Sequence, residues 1–468
     1  MKASQLFYGV LVCMTLSCLV FAEDVTLTLI WHTGICADKL LELAEEYEKE
    51  TGVKVIGDLV PPGSQWHGNI AAGFAEQNGS FDLAAWDSQD IGEFAGGNHT
   101  LKLNAYIENS ELVTLDTWLP KMRSRYGEYP DGSGDLHALP VNADALGMMY
   151  RKDLFEDPEE QADFAALYGY ALKVPDTYQE MRDIAEFFTR PEDDLYGMAM
   201  FAGLEYDYCT STANNFIWSF GGELWNPQTH AVKGYLDSPA SLDGLNMYVE
   251  MLQFAPPGHE TWGHEEVGFA FGSGRVAMAQ QWFYFFGSML DPAVSDVYDT
   301  TGFAVLPGAI GRDGKFRRQF SMGGQGLGIS KYSRHADEAW KFLEWYQQRA
   351  QQERYAAVCQ TGRADVLNDP AWLNKNPYNT YFLAAMDYTN DYWHLPEYGV
   401  LLEILQEEVH NIVILEKTPQ EAMQAAAERQ EQVLINAGYA IERTDPVEVP
   451  DTHITPAGHD NVIPIQVD

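Results

Sequence analysis

The chain has 468 residues, of which 69 are acidic and 29 are Lys or Arg, and its formal net charge is −40 at neutral pH. Such an acidic chain is a poor partner for nucleic acid or for an anionic membrane surface. A hydrophobic content of 46%, with 12 Trp and 25 Tyr, argues against a disordered chain. The length exceeds what one hydrophobic core usually supports, so we expect at least two domains.

The N-terminus has the pattern of a secretory signal. Lys2 precedes a mostly apolar stretch over residues 6–21. This stretch is shorter than the roughly 20 residues that span a bilayer. We therefore predict a signal peptide over residues 1–22 and a periplasmic or otherwise extracytoplasmic mature protein. Lipid attachment at Cys18 is the alternative that we favour less, because the Leu usually found three positions earlier is absent.

The cysteines predict at most one internal disulfide. Cys36, Cys209 and Cys359 remain after the predicted signal is removed, and three is an odd number. The sequence does not choose among the possible pairs, and their spacings match no zinc or redox motif. We therefore predict neither a metal site nor a cofactor.

Strand and helix patterns alternate in the first part of the mature chain. The β-branched and apolar run over residues 25–31 predicts a strand, and an amphipathic helix is expected over 37–51. Another strand is expected over 53–59, a helix through 70–76 and a third strand over 81–86. This alternation predicts an α/β lobe with a largely parallel sheet, whose ligand lies beyond the carboxyl ends of the strands.

Several motifs, taken in their order and spacing, resemble one known family. They are the strand ending in Trp31 and the segments 139–154, 174–181, 218–223, 271–278, 281–282, 302–308 and 336–343. Together these segments resemble the family 1 extracellular solute-binding proteins of carbohydrate ABC transporters, a group that includes the maltose-binding and trehalose/maltose-binding proteins. The resemblance covers nearly the whole mature chain, and it is specific to the family rather than to one ligand.

The resemblance implies an α/β, two-lobed periplasmic-binding-protein fold of the type II kind. Each lobe is expected to have a mostly parallel sheet flanked by helices, with the ligand cleft between the lobes. The implied crossovers lie near residues 139–141, 320–322 and 361–363. The implied division is an N-terminal lobe over 23–139 and 322–361, a C-terminal lobe over 140–321 and 362–443, and a flexible tail over 444–468.

The ends of the predicted first-lobe strands carry candidate binding residues. A pyranose ring stacks its apolar faces on aromatic rings and pairs its hydroxyls with carboxylates and amides. Trp31 and His32 end one strand and Trp86 and Asp87 end another, while Trp66 lies in a loop. Each Trp could instead be ordinary core packing. We expect all five to line the cleft.

The implied first crossover supplies two further candidates. Asp144 lies four residues after Pro140, where the resemblance to maltose-binding proteins implies a sugar-contacting acid. Asn142 lies on the same side of an extended segment, because side chains alternate along a strand. The alternative for Asp144 is an ordinary surface acid.

The second lobe and the later crossovers supply the remaining candidates. Trp282 follows a strand, where family members commonly stack a Trp on the sugar. Gly323 and Gly324 could let backbone amides approach the ligand, or could serve hinge geometry alone. Arg363 could point at the ligand or could form a salt bridge in this acid-rich chain. Loop positions of the second lobe add Glu205, Tyr206 and Trp393.

The predicted function is capture of a di- or oligosaccharide by lobe closure and its delivery to ABC permease subunits in the membrane. A monomer without enzymatic activity is expected. A polyol, a monosaccharide or a glycerol phosphodiester are alternative ligands. A secreted glycoside hydrolase, which needs two carboxylates around a sugar bond, is the alternative of another class. A receptor-docking or adhesive surface protein is a third class, and it would lack the cleft aromatics.

Overall fold

The computed structural model describes residues 25–442. The predicted signal peptide over 1–22, with Cys18, and the predicted tail over 444–468 lie outside the described residues. In the described part, no helix is both long enough and apolar enough to cross a membrane.

Strands and helices alternate through the described chain. The strands are β1 (Thr26–His32), β2 (Lys54–Val60), β3 (Leu83–Asp87), β4 (Ala138–Arg151), β5 (Tyr196–Ala199), β6 (Val276–Trp282), β7 (Thr301–Ala304), β8 (Ala309–Ile310), β9 (Phe316–Arg317), β10 (Phe320–Ile329) and β11 (Thr389–Asn390). The helices are α1 (Ile35–Thr51), α2 (Ser64–Glu76), α3 (Ile91–Gly96), α4 (Asn104–Glu108), α5 (Pro120–Gly127), α6 (Lys152–Phe155), α7 (Pro158–Tyr168), α8 (Tyr178–Phe188), α9 (Tyr208–Ser219), α10 (Pro239–Leu252), α11 (His264–Gly272), α12 (Phe283–Phe286), α13 (Ala336–Tyr346), α14 (Arg349–Tyr355), α15 (Ala364–Leu367), α16 (Pro370–Leu373), α17 (Asn379–Tyr388), α18 (Tyr398–Val413) and α19 (Pro419–Asn436).

Helix α1 illustrates how local sequence sets these elements. Its buried face includes Leu40, Leu43 and Ala44, at the spacing of three and four residues that one face of a helix requires. The helix ends at Gly52, which has a φ of 78° and donates its backbone N–H to the carbonyl of Glu48 at 2.8 Å. Glycine accepts this left-handed conformation without the steric cost of a Cβ.

The first three strands and α1 agree with the sequence prediction to within about two residues. Helix α2 begins at Ser64, earlier than the predicted start at Ile70. Trp66 therefore lies in the first turn of this helix and not in a loop as predicted, because the polar residues around it carry little apolar periodicity.

One continuous path of strands runs β2-β1-β3-β10-β4-β6-β5. Strand β1 pairs in parallel with β2 and β3, and β5 pairs in parallel with β6. The pairings of β10 with β3 and β4, and of β4 with β6 and β7, are antiparallel. The sheet is therefore mixed rather than mostly parallel, because β4 and β10 run in opposite directions where they join its two halves.

Two hydrophobic cores lie along this path. The first core packs α1, α2 and α13 against β1 and β3, and we call the region around it the first lobe. The second core is built on β4, β6 and the helices α8 to α12 and α15 to α19, and we call its region the second lobe. Strand β4 contributes residues 138–141 to the first core and residues 143–149 to the second. Strand β10 is shared in the same way.

The open question of cysteine pairing is answered by a disulfide between Cys36 and Cys359. The bond joins the first turn of α1 to the segment after α14, across 323 residues of sequence. Cys209 remains a free thiol, wholly buried in α9 in the second core.

Candidate functional site

A hydrogen bond joins the two lobes at the end of β3. Asp87 belongs to the first lobe and accepts a hydrogen bond from the hydroxyl of Tyr206, which belongs to the second. It also accepts one from the Nε2 of Gln325 on β10, at 3.0 Å. Burial, with repulsion from Asp90, raises the pKa of the Asp87 carboxyl to about 8. Two predicted residues, Asp87 and Tyr206, are thus brought together across the lobes.

Gln325 connects Asp87 to the shared strands. Its Oε1 accepts from the Nδ2 of Asn142 at 3.3 Å, and the Oδ1 of Asn142 accepts from the hydroxyl of Tyr355 at 3.3 Å. Asn142 and Gln325 are register partners on β4 and β10, next to a shift in the register. Sequence reasoning predicted Asn142 and missed Gln325, although Gln325 follows the singled-out pair of glycines directly.

Asp144 lies two residues after Asn142 on β4, and its side chain is 6% exposed. Its Oδ1 accepts from the N–H of Ala145 at 2.8 Å, and its carboxylate accepts from the backbone N–H groups of Phe283 and Tyr284. Burial nevertheless raises the pKa of the Asp144 carboxyl to about 8. Asp144 is therefore an enclosed carboxyl rather than the ordinary surface acid that was its alternative.

Trp282 ends β6 in the second lobe, and the strands β10 and β4 lie between β6 and the strand of Asp87. Its Nε1 donates to the Nε2 of His264 at 2.8 Å, so this ring nitrogen of His264 carries no proton. Burial lowers the pKa of His264 to about 3, which keeps the imidazole neutral. Sequence reasoning missed His264, since it lies 18 residues before its partner and belongs to no motif.

The two glycines of β10 have clear structural reasons. A Cβ on Gly323 would lie 2.7 Å from the ring of Trp282, so only glycine lets the ring pack against the strand. Gly324 has a φ of 98°, and a Cβ there would lie 2.5 Å from the backbone oxygen of Asn142. These contacts account for both residues without a ligand. Their approach to a ligand stays a prediction.

The first-lobe tryptophans are more deeply enclosed than a rim position requires. Trp31 and Trp86 are 0% exposed and Trp66 is 2% exposed. The Nε1 of each has no hydrogen-bond partner among the described residues. His32 lies beside them, with its ring 4.9 Å from that of Trp66, and burial lowers its pKa. A buried N–H without an acceptor is costly, and contact of these donors with a ligand stays a prediction.

The ring of Trp86 packs against residues of the first core. Its ring contacts Phe94 at 5.8 Å between centroids and lies against Gly328 of β10, inside the first core. Core packing was the alternative for this residue, and these contacts fit it. Ligand contact by Trp86 stays a prediction.

Arg363, Glu205 and Trp393 lie in different surroundings. The guanidinium of Arg363 donates to both carboxylate oxygens of Asp365, at 2.8 and 2.7 Å, and to the carbonyl of Gln347 at 2.6 Å. Arg363 therefore forms a salt bridge, which was the alternative to ligand contact for this residue. Glu205 is exposed. Trp393 is 1% exposed and packs beside Tyr392 in the second core, and its Nε1 has no partner among the described residues.

Four buried aspartates, which we call the acid cluster, influence one another where the lobes meet. They are Asp87, Asp90, Asp207 and Asp391, and each is less than 9% exposed. Like charge from Asp90 and Asp207 acts on Asp87, and like charge from Asp391 and Asp90 acts on Asp207. Burial first, and then this repulsion, raises the pKa of Asp207 to about 7. Sequence reasoning found Asp87 and missed the other three.

Two histidines offset part of this negative charge. His67 lies 3.1 Å from Asp90 and 3.2 Å from Glu93. Burial lowers the pKa of His67, but the two acids outweigh burial and raise it to about 11. His394 lies 3.1 Å from Asp391 and 2.9 Å from Asp131, whose hydrogen bonds outweigh burial and raise its pKa. No group of three or more His, Cys, Asp or Glu within residues 25–442 is arranged to hold a metal ion.

Curated proteins of similar sequence include binding proteins for a sugar and for a polyol. The chain is 25% identical over 303 residues to a maltotriose-binding protein of Pyrococcus abyssi, covering 63% of this chain and 57% of that protein. It is 26% identical over 276 residues to a mannitol-binding protein of Pseudomonas aeruginosa, covering 58% and 56%. The matches thus span a little over half the length of these curated relatives.

Solved structures share the fold. Maltose-bound MalE3 of T. maritima superposes with a TM-score of 0.74 at 22% identity, over 88% of this chain and 100% of that one. A ribitol complex of an ABC transporter solute-binding protein from Agrobacterium radiobacter gives a TM-score of 0.75 at 22% identity, over 87% and 98%. Identity at this level shows the fold alone, and that fold is the two-lobed binding-protein fold that the resemblance implied.

Two α/β cores that share strands and meet through polar residues define a two-lobed binding protein. The family model of bacterial extracellular solute-binding proteins matches residues 37–353, which is more than half of the chain. The chain belongs to that family.

Proposed function

We propose that the protein captures a di- or oligosaccharide between its lobes and delivers it to ABC permease subunits without reacting with it. The observation that carries this proposal is the enclosure of unpartnered donors and hydrogen-bonding carboxyls at one place. The Nε1 groups of Trp31 and Trp66 need acceptors, and Asp87 and Asp144 offer oxygens to hydroxyl donors. Sugar hydroxyls donate and accept at once, so they suit both kinds of group.

Lobe closure is the proposed mechanism. The bond from Tyr206 to Asp87 forms between lobes and therefore exists only when the lobes are closed. A ligand that contacts both lobes adds contacts that the open form lacks, and these differential contacts shift the population toward closure. The closed form would then be the one that the permease recognises. The proposed lobe bounds are 23–139 with 322–361, and 140–321 with 362–443.

The proposed ligand contacts are Trp31, His32, Trp66, Trp86, Asp87, Asn142, Asp144, Glu205, Tyr206, Trp282, Gly323, Gly324, Arg363 and Trp393. Export by the N-terminal signal, action as a monomer and the absence of catalysis are parts of the same proposal. The names of the relatives support it, since they are binding proteins for maltotriose and mannitol. A polyol is the second candidate ligand, favoured by the mannitol-binding relative and the ribitol-bound neighbour.

A thermal-shift and calorimetry panel tests the proposal. Maltose, maltotriose, mannitol and ribitol are each added to the purified protein, and a binder raises the unfolding midpoint by mass action. Trp282→Ala should abolish the shift. Trp372→Ala is the matched control, because Trp372 is as buried, at 7% against 8%, and its Nε1 bonds within the second core to Ala356.

The control variant should lose stability and keep the shift. A panel in which no sugar or polyol raises the midpoint would remove the support for capture. Chromatography of the incubated mixture shows whether the sugar has been cleaved. Cleavage would favour the hydrolase alternative instead.

A further inference from the structure

The acid cluster brings four carboxyls into the lobe junction, and its own described surroundings pair only two of them with a cation. Asp87 and Asp90 come from the end of β3 in the first lobe. Asp207 precedes α9 and Asp391 follows β11 in the second lobe. The four side chains are 7%, 4%, 6% and 8% exposed, so water screens them poorly.

The nearby cations are already engaged by two of the four. His67 pairs with Asp90, and His394 pairs with Asp391. Among residues 25–442, no Lys, Arg or His lies within ion-pair distance of Asp87 or Asp207. The partners of Asp87 are a phenol and an amide, and those of Asp207 are its own backbone N–H and the side chain of Tyr392. Within the described part of the chain, two carboxyls from opposite lobes therefore lack a cation that would stabilise their charged forms, which agrees with the raised pKa values of Asp87 and Asp207.

An unpartnered atom shows where a ligand would act. The Oδ1 of Asp207 is buried and has no hydrogen-bond partner among the described residues. An acceptor left without a donor in a buried place costs about 1–3 kcal/mol. The Nε1 of Trp393 is a buried donor without an acceptor in the same lobe, two residues beyond Asp391. The junction therefore needs a donor at Asp207 as well as acceptors at its tryptophans.

We propose that the ligand is a hydroxylated compound that also carries a protonated amine, such as an amino sugar or an amino polyol. This inference rests on the proposed function and specifies its ligand. A neutral hydroxyl could donate to Asp207 but would not stabilise the charged form of either unpaired carboxyl. An ammonium group donates up to three hydrogen bonds and offsets their charge, which makes each bond stronger than a neutral one. Hydroxyls on the same ligand supply the acceptors for the tryptophans.

Matched pairs of compounds test the proposal by calorimetry at about 150 mM salt, which leaves a screening length of about 8 Å. The pairs are D-glucosamine with D-glucose, glucamine with sorbitol, and the disaccharide of glucosamine with cellobiose. The amine member of at least one pair should bind about tenfold more tightly than its neutral partner, a ratio worth about 1.4 kcal/mol. In Asp207→Asn, the ratio between the two members should fall toward one.

Asp193→Asn is the control, since it removes the same charge from an exposed turn of the second lobe. The control should keep the tenfold ratio. A ratio that falls equally in both variants would mark attraction to the net charge of the chain and would overturn the proposal. Neutral members that bind as tightly as amines would overturn it too, while leaving sugar capture intact. Failure of every compound to bind would overturn both.

Discussion

The two lobes are held together in different ways. The first lobe has the disulfide between Cys36 and Cys359, which ties α1 to the chain segment that returns after α14. The second lobe has a larger core and a buried free thiol at Cys209, and its stability rests on packing among helices and strands. Contact between the lobes includes polar groups, as in the bond from Tyr206 to Asp87. Stability within a lobe and closure between lobes should therefore respond to different substitutions.

Removal of the disulfide should have the largest effect on stability among the changes considered. The double variant Cys36→Ala with Cys359→Ala should lower the free energy of unfolding by about 2–5 kcal/mol, because the cross-link no longer restricts the unfolded chain. Denaturant unfolding measures the loss. Cys209→Ala, which removes a buried sulfur from the second lobe, should cost about 1 kcal/mol. Equal losses in the two variants would contradict a special role for the cross-link.

The join between the lobes should be the next most sensitive place. Gly324→Ala forces a Cβ into a positive φ and against the backbone of β4, and should cost about 2–4 kcal/mol. Gly314 has a φ of 77° with nothing within 4 Å of a Cβ, so Gly314→Ala should cost only about 1 kcal/mol. Thermal unfolding of both variants compares the close approach with the φ strain alone. A similar cost for the two would mean that β4 and β10 adapt freely.

A pair of tyrosines separates closure from stability. Tyr206→Phe removes the hydroxyl that crosses between the lobes and should weaken binding of the best ligand in the panel by about 1–2 kcal/mol. Tyr248→Phe removes a hydroxyl that donates within the second lobe to the carbonyl of Phe201 at 3.2 Å. That variant should lose about 1 kcal/mol of stability and keep its affinity. Calorimetry measures the ligand affinity of each variant, and denaturant unfolding measures its free energy of unfolding. An unchanged affinity in Tyr206→Phe would argue against closure through Asp87.

The enclosed carboxyl of Asp144 should give the smallest effect, and it should depend on pH. Its pKa is about 8 in the folded protein and lower in the unfolded chain, so the folded state binds more protons and loses stability as pH rises toward 8. Asp144→Asn removes this loss. Relative to the variant, the wild type should lose about 1 kcal/mol between pH 7 and pH 9, since one pKa unit is worth about 1.4 kcal/mol. Parallel pH profiles of the two proteins would contradict the raised pKa.

Much of the fold follows from local pattern, and much of the site does not. The apolar run before His32 and the amphipathic spacing of α1 were sufficient to predict those elements, because each pattern reflects burial of one face. The strand end also predicted Asp87. Its partners Tyr206 and Gln325 lie 119 and 238 residues away, and no periodicity connects residues at such distances.

The same limit explains the residues that were missed. Asp207 and Asp391 are single acids in a chain with 69, and burial alone separates them from the surface acids. Arg363 illustrates the converse, because its position at a predicted crossover suggested a ligand while its guanidinium is engaged by Asp365 and Gln347. The pairing of Cys36 with Cys359 likewise depends on the tertiary fold, which brings the segment after α14 back to the first lobe. The sequence spacing of the cysteines does not predict this contact.

The disulfide has a further consequence for the covalent integrity of the molecule. The bond closes a ring that contains every residue from 36 to 359, including β4, β10 and most of the second lobe. A protease that cuts once inside this ring leaves one covalent molecule, with both pieces of the first lobe still attached to each other. Such a nicked chain would separate into fragments only after reduction. In an oxidising compartment, a single cut in a second-lobe loop between residues 36 and 359 therefore does not release the part that carries Trp31 and Trp66.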